Sequence, residues 1–138
     1  MHPDCIFCKI VAGQIPALTI LRNDFALAFI DIGPVRPGHI LLIPTTHAAQ
    51  LHELDEDSAV ELGRLLPRLG AAVKSVTGAQ GYHLLQNNGS AANQSVFHVH
   101  FHLIPRNPGD GSLLTWRPAS PNQEELQRWQ ARYQSELQ

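Results

Sequence analysis

The sequence predicts an α+β fold with an antiparallel sheet, because its strand-like segments come as hairpins and do not alternate regularly with helices. Residues 18–22 and 25–31 are short strand-like runs on either side of Asn23 and Asp24, which predicts a hairpin. One long segment with apolar residues at helical spacing follows, and it separates these strands from the last two. This grouping is typical of α+β proteins.

Local patterns place the other elements. An apolar side over Cys5 to Ala12, closed by Gly13, predicts a short helix. The long helix begins near Asp55 and contains Pro67, which predicts a kink or two abutting helical pieces. The other expected elements are a buried strand at 39–44, strands at 82–88 and 97–105, and a C-terminal helix marked by Leu126, Trp129, Tyr133 and Leu137.

The composition favours one folded domain. The chain has 138 residues, and its 10 basic and 12 acidic residues give a net charge of -2. The basic residues form no stripe, so nothing argues for a nucleic-acid polymer as partner. The sequence contains no apolar run long enough for a membrane span, and a basic, apolar leader does not open it. We therefore expect a cytoplasmic protein, in which the close pair Cys5 and Cys8 is more typical of metal binding or redox chemistry than of a structural disulfide.

Three of the 8 histidines stand at alternate positions in the run His98-Val99-His100-Phe101-His102. Side chains alternate between the two faces of a strand, so the three imidazoles are expected on one face and the apolar residues on the other. Burying three such rings for packing alone would require partners for six ring nitrogens. The pattern therefore predicts a chemical role.

Two chemical interpretations fit three imidazoles. They could hold a catalytic metal with one position open for water. Alternatively, one ring could be a nucleophile that attacks phosphorus while its neighbours orient it and stabilise charge. The preceding loop, residues 87–95, is polar and rich in small residues, which lets backbone N–H groups approach an anion. This loop favours phosphate chemistry.

Four segments resemble the histidine-triad (HIT) family, and the first marks a bacterial-type member with an N-terminal Cys-x-x-Cys segment. They are Cys5–Ile10 (CIFCKI), Phe29–Ile32 (FIDI), Gly38–Pro44 (GHILLIP) and Gln94–Pro105 (QSVFHVHFHLIP). The resemblance covers about residues 4–106. It implies a single domain over 1–138, with a five-stranded antiparallel sheet, a C-terminal loop and helix at 107–138, and a homodimer with a continuous larger sheet.

The resemblance also implies a covalent nucleotidyl-histidine mechanism. His100 would attack the α-phosphorus, and His102 would donate to a phosphate oxygen. The main chain of His98 and the side chain of His39 would orient the nucleophile, and Ser95 would stand near the leaving group.

The implied nucleotide contacts involve several further residues. Gln94 and Asn87 would lie near the nucleotide, with Gln94 beside the phosphate, and Asp31 would accept hydrogen bonds from the ribose hydroxyls. The purine ring would enter an apolar slot formed by Ile6, Phe7, Ile10, Phe29 and Ile32.

A structural zinc site is a further implication of the resemblance. Its ligands would be Cys5, Cys8, His47 and His98. Two thiolates and two imidazoles form a closed tetrahedral set with no position for a catalytic water. No catalytic metal is therefore expected.

The leading functional hypothesis is hydrolysis of a purine nucleoside phosphoramidate or a related nucleotide conjugate. Transferase relatives often carry glutamine at the position of His102, so hydrolysis is preferred over transfer. Cleavage of diadenosine polyphosphates is an alternative. A nucleotide-binding regulatory protein with incidental hydrolysis is another.

Overall fold

The structure, a computed structural model, describes residues 1–138. Its α-helices are α1 (Ile6–Val11), α2 (Glu56–Thr77) and α3 (Gln123–Leu137), and its strands are β1 (Thr19–Arg22), β2 (Ala26–Ile30), β3 (Ile40–Pro44), β4 (Gly81–Leu85) and β5 (Phe101–Arg106). Short 3-10 turns lie at Leu51–Glu53 and Ser90–Ala92. None of the α-helices combines the length and apolar character that a bilayer span needs.

The five strands form one antiparallel sheet in the order β1-β2-β3-β5-β4. This confirms the predicted α+β class. The predicted hairpin is β1 and β2, and β3 pairs with β2 over its whole length. The strand expected at 82–88 ends earlier, at Leu85, and β5 begins at Phe101 instead of at residue 97.

One face of the sheet packs against α2. The helix begins at its N-cap Asp55, whose side chain accepts a hydrogen bond from the Ser58 N–H at 2.8 Å, and it ends at Gly78 in the left-handed conformation. The apolar core on this side consists of Ala26, Ala28, Ile40, Leu42, Leu62, Leu65, Leu69, Val73 and Leu103. Alternation along the strands sends the strand residues of this core to one side of the sheet, where the helix residues pack against them.

Pro67 does not divide α2, so of the two expected alternatives the one with two abutting pieces is wrong, and the kink stays a prediction. The helix is continuous from Glu56 to Thr77. Pro67 removes the N–H that would bond the Gly63 carbonyl. Both residues are exposed, so water can satisfy that carbonyl.

The opposite face of the sheet packs against the much shorter α1. Its apolar cluster contains Phe7 of the helix and the strand residues Leu27, Phe29, Leu41 and Ile43, together with the two cysteines. Because α1 has only 6 residues, it covers part of this face and leaves room beside it. The three histidines His98, His100 and His102 lie on that side of the sheet.

Candidate active site

The three triad histidines do not share one regular strand, which corrects the expected strand at 97–105. Only His102 lies in β5, while His98 and His100 precede it. The partner strand β3 pairs with β5 only from Ile40 to Leu42. Further along β3, Pro44 has no N–H to donate. Its carbonyl oxygen lies 2.9 Å from Nε2 of His98. The backbone hydrogen bonds that pair β3 with β5 therefore do not continue to this point.

The rings nevertheless lie on one side of the sheet, as the alternation predicted. His102 pairs with Leu41 of the α1 side, and its ring centroid lies 4.9 Å from that of His100. Phe7 stands edge-on to His98 and to His100, with centroids 5.9 and 5.2 Å away. Phe101 and Leu103 pack into the α2 core on the other side.

A single hydrogen bond fixes the His100 ring. Its Nδ1 lies 2.7 Å from the carbonyl oxygen of His98, so Nδ1 carries the hydrogen and donates it. The lone pair then resides on Nε2. Burial lowers the pKa of His100 below its ordinary value, because a low-polarity environment disfavours the charged ring. The arrangement supplies a neutral imidazole with one free nucleophilic nitrogen.

The His39 side chain contacts His102 and makes no hydrogen bond to His100, in contrast to the role expected for it. The Val35 N–H donates to Nδ1 of His39 at 3.1 Å, so the neutral His39 ring carries its hydrogen on Nε2. That nitrogen lies 2.9 Å from Nδ1 of His102 and 3.4 Å from Oδ2 of Asp31. His39 therefore positions the third triad histidine.

This chain of contacts also sets the hydrogen on His102. Its Nδ1 accepts from His39, so the neutral ring keeps its hydrogen on Nε2. Burial, with the nearby His100 and His39 rings, lowers the pKa of His102 to about 4. His102 can therefore donate one hydrogen bond while staying uncharged at neutral pH.

A cavity of about 280 Å³ opens beside these rings. His100, His102, Ser95 and Asp31 reach its wall. The apolar part of the lining contains all five residues predicted for the purine slot, namely Ile6, Phe7, Ile10, Phe29 and Ile32. Ile32 is 92% exposed, so it is a rim residue and not part of the core.

Two predicted contact residues, Gln94 and Asn87, do not line this cavity. Gln94 is buried, and its side chain accepts from the Gly89 N–H at 2.7 Å and donates to the carbonyls of Ala49 and Val96. These bonds use its amide atoms to hold the loop before the triad. The carbonyl of Asn87 accepts a hydrogen bond from the neighbouring Gln86 side chain.

The loop depends on one unusual backbone conformation. Asn93 follows the 3-10 turn with φ of 65°, in the left-handed region that asparagine tolerates better than most residues. Asparagine can therefore adopt a conformation here that glycine adopts most readily. Ser95 stands two residues further along the chain and is exposed at the cavity wall.

Four side chains meet on the far side of His98. The sulfurs of Cys5 and Cys8 and one ring nitrogen each of His47 and His98 lie within 4.8 Å of one another. Nδ1 of His98 lies 3.4 Å from Sγ of Cys5 and 3.3 Å from Nδ1 of His47. A tetrahedral ion with bonds of about 2.0–2.3 Å separates its ligand atoms by roughly 3.3–3.8 Å. The donor set therefore fits a tetrahedral metal ion.

The surroundings of these ligands also fit a metal. Nε2 of His98 donates to the Pro44 carbonyl, which leaves Nδ1 free to coordinate. Backbone N–H groups point at both sulfurs, from Cys8 to Cys5 and from His2 to Cys8. Without an ion, burial raises the pKa of the Cys5 thiol, and a bound cation would favour the thiolate instead.

Comparison with known proteins agrees with this geometry. Residues 12–109 match the HIT domain. The chain belongs to the HIT family. It is 44% identical over 117 residues to adenosine 5'-monophosphoramidase hnt1 of Schizosaccharomyces pombe, and the match covers 85% of each chain.

Two solved structures are similar to this member of the family. A HIT family protein from Bacillus anthracis is 34% identical with a TM-score of 0.93, and the match covers 100% of both chains. A zinc-bound histidine triad family protein from Mycobacterium smegmatis is 36% identical with a TM-score of 0.73, covering 91% of this chain and 88% of that one. Both sequence identities are high enough to indicate a family relationship and not only a shared fold.

Sequence reasoning missed some residues of the site. The Val35 N–H and the Pro44 carbonyl orient His39 and His98, but backbone groups leave no side-chain pattern to find. Ile15, Pro16 and Ala17 also line the cavity. Their apolar character, shortly after the end of α1, was a signal for a cavity-lining segment.

Proposed function

We propose that the protein is a nucleotide hydrolase that acts at the α-phosphorus of purine nucleoside phosphoramidates or related conjugates. The observation that carries this proposal is the 2.7 Å contact from Nδ1 of His100 to the His98 carbonyl, which leaves Nε2 free in a ring at the cavity wall. Similarity to a fission-yeast protein named a monophosphoramidase supports the substrate class.

In the first step, Nε2 of His100 forms a bond to phosphorus while the bond from phosphorus to the leaving group breaks. Charge develops on the phosphate oxygens, and the Nε2–H of His102, at the wall of the same cavity, donates a hydrogen bond to one of them. Ser95 stands at the same wall and serves the leaving group. In the second step, water attacks phosphorus and releases the nucleoside monophosphate and neutral His100.

The same cavity also contains the residues that we assign to nucleoside binding. We assign Asp31 to the ribose hydroxyls, because one of its oxygens, Oδ1, is already held by the Gly33 N–H at 2.8 Å, which fixes the carboxylate at the rim. The purine ring enters the apolar slot between α1 and β2, where Ile32 covers it from the rim. Gln94 acts indirectly, by shaping the phosphate loop, and Asn87 is assigned to the edge of the same loop.

We propose zinc as the ion at Cys5, Cys8, His47 and His98. The donor set of two sulfurs and two imidazoles is one that zinc prefers, and four protein ligands leave no open position. Zinc there would stabilise the fold by crosslinking α1 to the triad segment. His98 would serve both sites, because its ring faces the metal ligands and its carbonyl holds His100.

We also propose a cytoplasmic homodimer. Every residue of α3 is exposed, including Leu126, Trp129 and Tyr133 on one side of the helix. The edge strand β4 also lacks an outer neighbour and exposes Tyr82 and Leu84. A second copy would cover both surfaces. Residues 107–138 would then belong to the same single domain as residues 1–106. A dimer mass in light scattering, lost in Trp129→Glu, tests this assembly.

The decisive test of function compares substrates and binding. We expect adenosine 5'-phosphoramidate to be hydrolysed with a higher kcat/KM than diadenosine tetraphosphate. The reverse order would identify the protein as a dinucleoside polyphosphate hydrolase. Tight binding of adenosine monophosphate with negligible turnover of either substrate would point to a nucleotide-binding regulatory protein.

A test of the metal proposal uses zinc content and stability. Cys8→Ser should lose zinc and lower the melting temperature while retaining part of the activity, and the matched control Ser75→Ala, at an exposed position in α2, should change neither. Complete inactivation by chelation, restored only by zinc with the fold intact throughout, would instead favour a metal-caged hydrolase.

A further inference from the structure

A second cavity, of about 430 Å³, adjoins the proposed nucleotide cavity. Three residues line both spaces, namely Ile6, Ser95 and Val96. The second cavity extends from this shared wall toward Asp4 and Phe97. The two cavities therefore share a wall at these three residues, and Ser95 contributes to both.

The position of the shared wall assigns a direction to the substrate. Asp31 and Ile32 line the nucleotide cavity but not the second one, and Ser95 lines both. With the nucleoside at Asp31 and phosphorus beside His100, the substituent beyond phosphorus lies at the Ser95 side. The second cavity is then the space available to the leaving group.

The lining of the second cavity indicates which leaving groups fit. Asp4 is its one carboxylate, and this group takes part in none of the ion pairs of the chain. Ile6, Val96 and Phe97 add apolar surface, and Ile6 and Phe97 are each 47% exposed. His47, also in the lining, faces the metal ligands, and the His2 ring stacks on it at 5.0 Å.

We propose that this second cavity is the leaving-group subsite and that it selects amines bearing a positive charge at the end of a short apolar chain. The apolar residues hold the methylene groups, and Asp4 pairs with the charge. An unpaired carboxylate loses no existing partner when it binds such a cation. This inference rests on the proposed phosphoramidase function and names its substrate class.

The chemical step balances as follows. The bond from phosphorus to the amine nitrogen breaks as the bond from His100 Nε2 to phosphorus forms, and the nitrogen keeps the electron pair. The nitrogen takes one proton, delivered from water through the exposed Ser95 hydroxyl, and the free amine leaves through the second cavity. The remaining hydroxide equivalent removes the nucleotide from His100.

The test uses two conjugates of nearly equal size. Adenosine monophosphate is linked through a phosphoramidate bond to 1,4-diaminobutane, which keeps one terminal ammonium, or to n-pentylamine, which is neutral. We expect kcat/KM to be about fivefold higher for the charged conjugate, the size expected of a partly exposed ion pair. The ratio should fall toward one in Asp4→Asn and at high salt.

The matched control is Asp57→Asn, which removes an exposed carboxylate at the start of α2 and should keep the fivefold ratio. Calorimetric binding of both conjugates to His100→Ala gives the same comparison without turnover. A binding preference without any hydrolysis by the native protein would retain the subsite and reject the hydrolase function. Equal values for both conjugates, or a preference that Asp4→Asn leaves unchanged, would overturn the subsite.

Discussion

The two faces of the sheet bury different chemistry. The core on the α2 face consists of apolar side chains, of which Leu65 and Leu42 are fully buried, and Ser58 is the one buried polar residue of the helix. The α1 face buries His98 and His100 as well, and each ring has a hydrogen-bond partner. Apolar burial is the main source of stability on the first face, whereas the second also depends on satisfying the buried histidine rings. One face can therefore supply stability while the other supplies chemistry.

The largest effect should come from the α1 face. His100→Ala removes the proposed nucleophile, so we expect kcat/KM for adenosine 5'-phosphoramidate to fall by on the order of 10⁴-fold or more. Steady-state kinetics measures this loss, and circular dichroism should show that the fold is kept. Activity within tenfold of the native value would refute the assignment.

The counterpart on the α2 face is Leu65→Ala. It removes a fully buried side chain, so the free energy of unfolding should fall by about 2–5 kcal/mol. Denaturant titration measures the change. Activity per folded molecule should stay the same, since Leu65 belongs to the α2-side core and lines neither the cavity nor the cluster of possible metal ligands. A selective fall in kcat with unchanged stability would show that the two faces are not separable.

A smaller effect is expected at His39, which acts through His102. His39→Ala removes the donor to Nδ1 of His102 and should lower kcat by roughly 10–100-fold. His39→Gln retains an N–H near the same place and should recover part of the loss. If the alanine and glutamine variants are equally impaired, His39 does not act by positioning His102.

The smallest expected effect is a loss of folding stability at acidic pH. The pKa of His102 is lowered to about 4 in the folded chain, and burial lowers that of His39 as well. Between about pH 6.5 and about pH 4 the unfolded chain binds more protons than the folded one, so stability falls as pH falls through this window. Urea midpoints should decrease from pH 7 to pH 5, and less so in His102→Gln. If the urea midpoint falls equally with pH in the native protein and in His102→Gln, the contribution of His102 to this pH dependence is contradicted.

Sequence patterns predicted the α2 face more completely than the α1 face. The spacing of Leu62, Leu65 and Leu69 located the helix and its buried side, because repeated burial leaves a periodic pattern. The triad pattern placed the histidines on one side correctly, but it extended the strand over His98 and His100. That error arose because the Pro44 carbonyl bonds a side chain instead of a strand neighbour, which no local pattern reveals.

Residue types predicted which side chains lie together in the site better than they predicted the hydrogen bonds between those side chains. The four cluster residues Cys5, Cys8, His47 and His98 converge as the family resemblance implied. The partner of His39 could not be predicted, because it depends on the register between β3 and β5, which pairs Leu41 with His102. Long-range register is a property of the folded sheet and not of any single segment.

The central claim is that the His98 carbonyl orients His100 for attack on phosphorus. Rapid denaturing quench of the reaction with adenosine 5'-phosphoramidate at alkaline pH, where a phosphorus–nitrogen bond to histidine is stable, followed by peptide mass spectrometry, measures it directly. The account predicts a transient adenosine monophosphate adduct on the peptide at His100. Absence of any adduct during turnover, together with full activity of His100→Ala, would contradict it.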